Sequence, residues 1–524
     1  LLSMSVRKKR APLYFVIPAV IIAAGVLLPL VYLVLRASEA DWETSSALIF
    51  RERNLILFWN TVKLTVGVLL TTTLIAGPLA WLTVRTDAPH KKWLTLISVM
   101  PLAIPGYILA YALLGMGGIN GTFYHWFGWE IPRLTGYWGS LISISLYTYP
   151  YMYLNLRSGL LGLDPAVEEA ARSLGNSSAR VYSRIVLPQL RPAFLAGFLI
   201  IGLYVLGDFG AVSLMRFETF SYALFLQYSA SYDRIYAAWL ALMLLGLTAT
   251  ILIVEYRLLR NMLFHRVGTG TARKIRLTRM GKLKYPAYAG LSLLITFAII
   301  IPVATIFFWA TRSATGVNWS ELFSTLFMSV SASAPAAALT AMMAVPMAYI
   351  SIRFPSRTSR GLERIAYFGY ATPPLALALA FVFFSLNSAP WLYQTVTLLV
   401  VAYSLHFLAE AMGPVRSALY QAPPRLEEAA RSLGLPPFRA FMKSTFPLLR
   451  NGIVAGASLV FLSCMKELPI TILLSPIGFE TLALNVWSYS NEAMFANAAP
   501  FALSILLFSS VFVGILFSRE WTKS

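Results

Sequence analysis

The octapeptide EEAARSLG occurs twice in this chain, at residues 168–175 and again at residues 427–434. The two copies are identical although 58% of the residues in the chain are hydrophobic and only 12% are charged. Shared apolar composition does not produce an identity that includes two glutamates and an arginine. The copies begin 259 residues apart, at positions 168 and 427, and therefore predict an internal duplication.

The same offset relates further residues on both sides of the octapeptide. At 259 residues it pairs Arg157 with Arg416, Pro188 with Pro447, Arg191 with Arg450, and Asp208 with Glu467. Nearer the N-terminus the offset is 268 residues, and it pairs Pro78 with Pro346, Arg85 with Arg353, and Pro105 with Pro373. The offset changes because the first half has a longer external loop. We predict two related units, residues 1–256 and 285–524, joined by a linker at residues 257–284.

Long apolar segments run through both units, and the mean hydropathy of the chain is +0.68. A helix of about 20 apolar residues crosses the roughly 30 Å of hydrocarbon in a bilayer. Segments of this kind lie at residues 12–35, 57–84, 93–115, 137–159, 193–215 and 235–256, then at 286–311, 326–352, 363–386, 394–415, 451–474 and 496–517. They are too long and too uniformly apolar for barrel strands. We predict an all-α membrane protein with about 12 transmembrane helices.

The number of spans and the distribution of charge set the predicted orientation. Six spans per unit is an even number, so the two units are parallel, and parallel repeats place a shared pathway at their interface. The linker carries nine basic residues and no acidic one, whereas residues 36–52 mix both signs. Because Lys and Arg accumulate on the cytoplasmic side, we predict cytoplasmic N- and C-termini. The net charge of +20 then reflects topology and contact with lipid, and nucleic-acid binding is not expected.

Each octapeptide has the pattern of a short amphipathic helix in a cytoplasmic loop. In the first copy Asp164 and Pro165 form a helix start, and Gly175 is expected to end the helix in a left-handed conformation. Glu168 precedes Arg172 by four residues, the order that favours an ion pair on a helix. The apolar stripe consists of Val167, Ala170, Ala171 and Leu174 in the first copy, and of Leu426, Ala429, Ala430 and Leu433 in the second.

Two interpretations of these helices are open on physical grounds. In one, the apolar stripe packs over the cytoplasmic ends of the chain's own helices. In the other, the stripe is a surface for a separate partner. The duplication favours the second, because two identical protrusions on two related units indicate one partner surface that is presented twice.

The octapeptide and the proline thirteen residues after its glycine resemble the EAA motif of ATP-binding-cassette importer permeases. In that family the motif forms a coupling helix that docks in a groove of a separate cytoplasmic ATPase subunit. The resemblance implies this coupling role for Glu168, Ala170, Ala171 and Gly175, and for Glu427, Ala429, Ala430 and Gly434. It also implies the type I ABC importer transmembrane fold and two ATPase copies, one for each helix.

Fusion of two such units in one chain, together with MKELPITILLSPIGFETLALNVW at residues 465–487, resembles the ferric-iron import permeases. Thiamine permeases share the fusion, and phosphonate and polyamine systems are more distant relatives. The resemblance implies a subunit of the bacterial inner membrane that receives ferric iron from a periplasmic or extracellular binding protein and passes it into the cytoplasm. The alternative is the same machine for thiamine, polyamine or phosphonate.

The chain lacks the G-x-x-x-x-G-K-[ST] sequence that cradles the phosphates of ATP. We therefore expect no enzymatic activity and no cofactor bound by this chain, with ATP and Mg²⁺ held by the partner subunit. The rival function class is a secondary transporter driven by an ion gradient. Such transporters often have inverted repeats and helices broken near the membrane midplane, and the sequence predicts neither.

Ionisable residues within the predicted spans are candidate pathway residues, because a charge at the bilayer centre costs about 2.5–3.5 kcal/mol on insertion scales and is usually functional. Asp208 and Glu467 occupy equivalent positions in the two units. In one interpretation they form a carboxylate pair for a passing hard cation. In the alternative, Glu467 neutralises Lys466, and Asp208 makes a hydrogen bond between helices.

His406 and Glu410 are the other two candidates, and their spacing of four residues puts them on one face of a helix. The pair has the residue types for a metal site or for a local hydrogen bond. Their counterparts in the first unit are Tyr147 and Tyr151. Because the pair is not duplicated, the local hydrogen bond is the favoured interpretation, and the sequence assigns no metal site.

Overall fold

The structure is a computed structural model that describes residues 11–231, 233–260, 277–312 and 316–521. All its named elements are helices, and the β-bridge within these residues joins Thr86 to Thr278. The prediction of an all-α protein is confirmed. The N-terminal residues 1–10, most of the basic linker (261–276) and residues 522–524 lie outside the described residues, so the predicted side of each terminus stays a prediction.

The first repeat contains the helices that precede the linker. They are α1 (Leu13–Ala37), α2 (Trp42–Ile49), α3 (Glu52–Arg85), α4 (Lys91–Val99), α5 (Gly106–Met116), α6 (Thr122–Phe127), α7 (Gly136–Gly162), α8 (Pro165–Ser173), α9 (Ser178–Val181), α10 (Leu187–Gln189), α11 (Arg191–Gly207), α12 (Gly210–Leu214), α13 (Phe220–Ser229) and α14 (Arg234–Arg260). A 3-10 turn at Met100–Ala103 precedes α5, and a π-helical turn at Tyr182–Val186 precedes α10.

The second repeat follows the linker. Its helices are α15 (Lys284–Ile295), α16 (Ile301–Ala310), α17 (Trp319–Arg353), α18 (Arg357–Ala371), α19 (Pro374–Ser388), α20 (Val396–His406), α21 (Leu408–Gln421), α22 (Pro424–Ser432), α23 (Pro437–Ala440), α24 (Phe446–Met465), α25 (Pro469–Leu474), α26 (Leu482–Asn491) and α27 (Phe495–Trp521). Short turns at Gly281–Leu283, Thr296–Ile300, Pro390–Leu392 and Phe441–Thr445 complete it.

The duplication is visible in local structure as well as in sequence. Helices α22 and α23 repeat α8 and α9 at an offset of 259 residues at both ends. The π-helical turn at Tyr182–Val186 recurs at Phe441–Thr445, again 259 residues later. Equal offsets through a helix, a turn and a π-helical segment support the predicted repeat.

Candidate membrane spans occur throughout both repeats. By length and composition, six described helices are able to cross a membrane alone, and four bent helix pairs raise the number to ten. The other two predicted spans, at residues 137–159 and 496–517, fall on α7 and α27.

The four bent pairs correct the expectation that no span is broken. The chain bends by 86° between the α4 segment and α5, and by 105° between α18 and α19. Pro105 and Pro373 lie at these bends, and Ile104 and Thr372 before them are extended, with ψ of 111° and 127°. A proline ring excludes the helical conformation at the preceding residue. Pro105 and Pro373, which occupy equivalent positions in the two repeats, therefore break both spans at equivalent places.

The described helices pack into two compact units that are discontinuous in the chain. One contains the described residues of Leu1–Ile49, Gln227–Leu242 and Trp319–Leu484, and in it α1 packs against α17, α18 and α19. The other contains those of Phe50–Leu226, Met243–Asn318 and Asn485–Ser524, and in it α16 packs against α5 and α27. These packing units differ from the predicted repeats at residues 1–256 and 285–524, because the first helix of each repeat packs with helices of the other.

Small residues line one helix crossing in each packing unit. Where α7 meets α11, an added Cβ on Gly159 would lie 2.9 Å from the Cβ of Ala193. At the equivalent crossing of α21 and α24 the two residue types are exchanged, and a Cβ on Gly452 would lie 2.6 Å from the Cβ of Ala418. Small residues allow membrane helices to approach closely, so both crossings depend on them.

We expect Gly452→Ala to lower the stability of the protein, because the new methyl group would also lie 2.7 Å from the carbonyl oxygen of Pro414. Overpacking of this kind typically costs about 1–3 kcal/mol. Gly413→Ala is the control, since nothing lies within 4 Å of a Cβ at that position of α21. Thermal unfolding of the purified protein in detergent measures both variants, and equal midpoints would contradict the close crossing.

Candidate functional site

The first octapeptide forms α8, and its ends follow the predicted capping rules. The carboxylate of Asp164 accepts a hydrogen bond of 2.9 Å from the backbone N–H of Ala166. Gly175 has a φ of +83°, in the left-handed region, and its N–H donates to the carbonyl oxygen of Arg172 at 2.9 Å. A residue with a side chain is strained at such a φ. The predicted helix start and glycine end are both confirmed.

The second octapeptide forms α22 with the same ending and a weaker start. Gly434 has a φ of +88°, and its N–H donates to the carbonyl oxygen of Arg431 at 3.0 Å. Pro423 precedes the helix and supplies no side-chain cap. We refer to α8 and α22 as the EAA helices.

Both EAA helices direct apolar residues toward solvent. Leu174 and Leu433, which follow the last helical residues, are 83% and 85% exposed. Val167 and Leu426 are also exposed, and so are Ala170 and Ala429, whereas Ala171 is buried and Ala430 is half-buried. The interpretation in which the stripe only packs over the chain's own helices does not fit these positions, because most of the stripe faces outward.

The inward side of α8 carries a buried glutamate. Glu168 Oε1 lies 2.8 Å from Arg85 Nη1, and the two side chains are 7% and 4% exposed. Glu168 Oε2 accepts a hydrogen bond of 3.2 Å from Arg172 Nη2, the predicted pair four residues apart. The carboxylate therefore joins α8 to the end of α3 as well as to its own helix.

The equivalent glutamate of α22 has different partners. Glu427 is half-buried and accepts hydrogen bonds from Tyr349 Oη at 2.7 Å and from Thr445 Oγ1 at 3.1 Å. Arg353, the counterpart of Arg85, instead donates from Nη2 to the carbonyl oxygen of Ala422 at 2.5 Å. Glu427 forms no ion pair with Arg431, the counterpart of Arg172, among the described residues.

An aromatic contact beside each EAA helix is shared by the two repeats. The rings of Trp81 and Tyr182 lie 5.0 Å apart at an angle of 84°. The rings of Tyr349 and Phe441, at the equivalent positions, lie 5.2 Å apart at 81°. The same edge-to-face packing therefore supports both helices, although the surroundings of the two glutamates differ.

Asp208 and Glu467 have the same structural role in the two repeats. Asp208 Oδ1 accepts hydrogen bonds from the backbone N–H groups of Ala211 at 3.0 Å and Val212 at 3.3 Å, at the start of α12. Glu467 Oε1 accepts from the N–H of Ile470 at 3.0 Å, at the start of α25. Each acid therefore caps a short helix within the membrane region.

The predicted alternative for the two acids is right for one of them. Asp208 Oδ2 accepts a hydrogen bond of 3.1 Å from Tyr147 Oη, which joins α11 to α7. Among the described residues Glu467 forms no ion pair with Lys466. The two acids belong to different packing units, so their pairing stays a prediction.

His406 and Glu410 do not share a continuous helix, which corrects the expectation that they lie on one helical face. Helix α20 ends at His406, α21 begins at Leu408, and the two helices are bent by 53°. His406 is buried, and its Nδ1 lies 3.2 Å from the carbonyl oxygen of Gly369. Glu410 accepts a hydrogen bond of 2.9 Å from Ser463 Oγ. Each residue therefore makes its own hydrogen bond, and none joins His406 to Glu410 among the described residues.

No metal-binding group of three or more His, Cys, Asp or Glu side chains occurs within the part of the chain that the structure describes. The tyrosine counterparts of His406 and Glu410 are engaged as well. Tyr147 bonds Asp208, and Tyr151 donates to Tyr204 Oη at 2.8 Å.

Three residues that contact the EAA glutamates, Arg85, Tyr349 and Thr445, were not predicted from the sequence. The repeat pairing of Arg85 with Arg353 was visible, but it did not say which group each arginine binds. A basic residue that ends a span in both repeats is a signal that could have directed attention to the EAA glutamates. The contacts of the Tyr349 and Thr445 hydroxyl groups could not be predicted from the repeat, since the equivalent positions of the first repeat hold Trp81 and Val186.

The comparisons with known proteins cover both repeats. Residues 74–265 and 333–519 each match the family model described as binding-protein-dependent transport system inner membrane component. The chain is 30% identical over 513 residues to the Fe(3+)-transport system permease protein FbpB 2 of Haemophilus influenzae, which covers 97% of this chain and 98% of that protein.

Two further relatives match a smaller share of the chain, and the first of them is also less identical to it. It is 24% identical over 451 residues to the ferric transport system permease protein FbpB of Actinobacillus pleuropneumoniae, covering 81% of this chain and 65% of that protein. It is 32% identical over 161 residues to the molybdenum transport system permease protein ModB of Escherichia coli, covering 29% of this chain and 69% of that protein.

We expect Asp208→Ala to destabilise the protein and Asp208→Asn to leave its stability nearly unchanged. Removal of a side-chain cap costs about 1 kcal/mol, and the asparagine oxygen still accepts from the N–H groups of α12. Thermal unfolding in detergent measures the difference, with Glu467→Ala and Glu467→Gln as the matched pair in the second repeat. An asparagine variant as unstable as the alanine variant would show that the charge, and not the cap, matters for folding.

Proposed function

We propose, from the fact that this chain belongs to the family of binding-protein-dependent transport system inner membrane components, that it forms the whole translocation pathway of an ATP-driven importer of ferric iron. Membership makes the chain a membrane permease subunit, a translocation component that works with an ATPase and a binding protein and is not itself catalytic. The proposal adds the number of ATPase copies, the surfaces that they contact, the orientation and the cargo.

The exposed EAA helices are the observation that carries the proposal. Leu174 and Leu433 expose large apolar side chains at the ends of two helices whose octapeptides are identical. Exposed apolar surface of this kind usually marks an interaction site, and its duplication supports two copies of one partner. We assign one cytoplasmic ATPase subunit to each helix, with ATP and Mg²⁺ bound by that subunit, since the chain has no phosphate-binding loop.

The orientation of the proposed importer follows from its basic segments. The linker and the N-terminal RKKR are assigned to the cytoplasm by the excess of Lys and Arg. The EAA helices then face the cytoplasm too. An even number of predicted spans lies between the N-terminal RKKR and α8, and an even number lies between α8 and α22. The binding protein meets the opposite face, which is periplasmic or extracellular.

The substrate assignment rests on the relative that spans both repeats. The Fe(3+)-transport permease of Haemophilus influenzae matches 97% of this chain, whereas the molybdenum permease matches 29%. A ferric ion is a hard cation, which carboxylate oxygens suit. Asp208, Glu410 and Glu467 are half-buried residues. We propose these three as cargo contacts in preference to His406, which is buried and bonded to a backbone oxygen.

We expect Leu174→Asp and Leu433→Asp each to weaken binding of the ATPase subunit by at least about tenfold, because a buried leucine contributes roughly 1.5–3 kcal/mol and about 1.4 kcal/mol is tenfold in affinity. Both side chains are exposed in the permease, so its own stability should not change. Co-purification of the ATPase subunit and ATP-driven uptake in proteoliposomes are the measurements. Leu283→Asp, at an exposed leucine outside the EAA helices, is the control and should behave as the unaltered chain.

The complex of permease, ATPase subunits and binding protein should take up Fe³⁺ in proteoliposomes only when ATP is supplied. Molybdate, sulfate, thiamine, polyamine and phosphonate are the competing cargoes to be measured in parallel. Uptake of one of these in place of iron would overturn the substrate assignment. Uptake that persists without the ATPase subunit and follows an ion gradient would overturn the importer itself and favour a secondary transporter.

A further inference from the structure

The two EAA helices are attached to the membrane helices by different chemistry. In the second repeat, Tyr349 and Thr445 donate hydrogen bonds to both oxygens of Glu427. The equivalent positions of the first repeat hold Trp81 and Val186, which offer no hydroxyl group to Glu168. The identical octapeptides therefore lie on supports that are not identical.

Charge replaces the hydroxyl groups in the first repeat. The guanidinium of Arg85 is almost completely buried, and its Nε and Nη2 atoms have no hydrogen-bond partner among the described residues. Glu168 is the group that compensates this cation, through the contact of 2.8 Å with Nη1. Removal of one member of a buried ion pair leaves an uncompensated charge and is strongly unfavourable.

The backbone of Arg85 is itself fixed by the end of the linker. The N–H of Thr278 donates to the carbonyl oxygen of Arg85 at 2.8 Å, and the N–H of Asp87 donates to the carbonyl oxygen of Thr278 at 3.1 Å. The N–H of Met280 donates to Asp87 Oδ1 at 2.9 Å. A short segment of the linker thus holds the end of α3, from which the Arg85 side chain reaches α8.

Arg353 lacks this arrangement. Its guanidinium donates to the carbonyl oxygen of Ala422, which follows the last residue of α21, and it makes no ion pair with Glu427 among the described residues. The chain after Arg353 enters the capping box of α18, where Ser356 and Ser359 bond each other. The arginine of the second repeat therefore supports the end of a membrane helix and does not bind the EAA glutamate.

We propose that Arg85 is the positioning residue of the first EAA helix, and that it fixes the orientation of α8 toward its ATPase subunit through the ion pair with Glu168. The second EAA helix is positioned by neutral hydroxyl donors. The inference rests on the proposed function, since it concerns how the ATPase contact is held. It follows that coupling through α8 depends on a charge pair, whereas coupling through α22 does not.

The test compares four variants in the assembled complex with its ATPase subunits and binding protein in proteoliposomes. They are Arg85→Gln, Glu168→Gln, the double variant of both, and Arg353→Gln as the matched control in the second repeat. The measured quantity is the amount of cargo transported for each ATP hydrolysed, at equal amounts of assembled complex. A purely structural defect lowers the amount of complex and leaves this ratio unchanged.

Each single variant of the Arg85–Glu168 pair should lower the ratio at least about tenfold, because it leaves one buried charge uncompensated. Arg353→Gln should change the ratio less than about twofold, since Arg353 donates to the carbonyl oxygen of Ala422 and makes no ion pair with Glu427 among the described residues. The double variant should recover most of the loss, because neither charge remains and residues in contact have non-additive effects. If the single variants do not assemble, the transport ratio of the double variant is the deciding measurement. A ratio near that of the unaltered complex then supports the proposal.

Two outcomes overturn the inference. Equal effects of Arg85→Gln and Arg353→Gln would show that the two arginines act alike, and a double variant as impaired as the worse single variant would show that Arg85 does not act through Glu168. Failure of the proposed function has a separate signature, because the unaltered complex would then show no ATP-dependent transport at all.

Discussion

The constraint on which this structure depends is that a helix in hydrocarbon has to satisfy its backbone hydrogen bonds without water. Four candidate spans are nevertheless broken, and the chain is also interrupted between α11 and α12 and between α24 and α25. Asp208 and Glu467 accept the N–H groups that would otherwise be free at the starts of α12 and α25. Pro105 and Pro373 lie where a helix starts again, and proline has no N–H group to satisfy. Broken spans therefore do not by themselves indicate an ion-coupled transporter, because the prolines at two of the breaks and the acids before α12 and α25 are explained by local backbone chemistry.

The EAA helices follow a different rule, because their polarity is inverted relative to an ordinary surface helix. Glu168 and Glu427, the first glutamate of each octapeptide, face the protein, and the leucines that follow each helix face solvent. Such an arrangement is stable in water only at a cost, which a partner removes when it covers the leucines. This inversion also explains why the octapeptides are identical while their supports differ. In the proposed importer the outward residues contact the same partner twice, whereas Trp81 and Tyr349 belong to the supports, where the two repeats differ.

Features set by neighbouring residues could be predicted from the sequence, and features set by distant contacts could not. The helix ends at Gly175 and Gly434 and the Asp164 cap depend on a few adjacent residues, and all are found where the sequence indicates them. The partner of Glu168 lies far away in the chain, and a repeat reveals equivalence without revealing contact. For His406 and Glu410 the prediction of a shared helical face was wrong, because a spacing of four residues indicates a shared face only if the helix continues between them. The packing units were equally hidden, since periodicity within a span carries no information about which span packs beside it.

The discontinuous packing units have a consequence for biogenesis. Helix α1 is the first described helix to be synthesised, yet α17, α18 and α19, against which it packs, begin only at Trp319. The unit that starts at Phe50 is completed by residues after Asn485, including α27. Early helices are therefore synthesised before the helices that they pack against. Neither repeat alone supplies all the helices of a packing unit. Because the two repeats are fused, the early helices and the later helices that they pack against belong to one polypeptide. Their association does not require separate chains to diffuse together in the membrane.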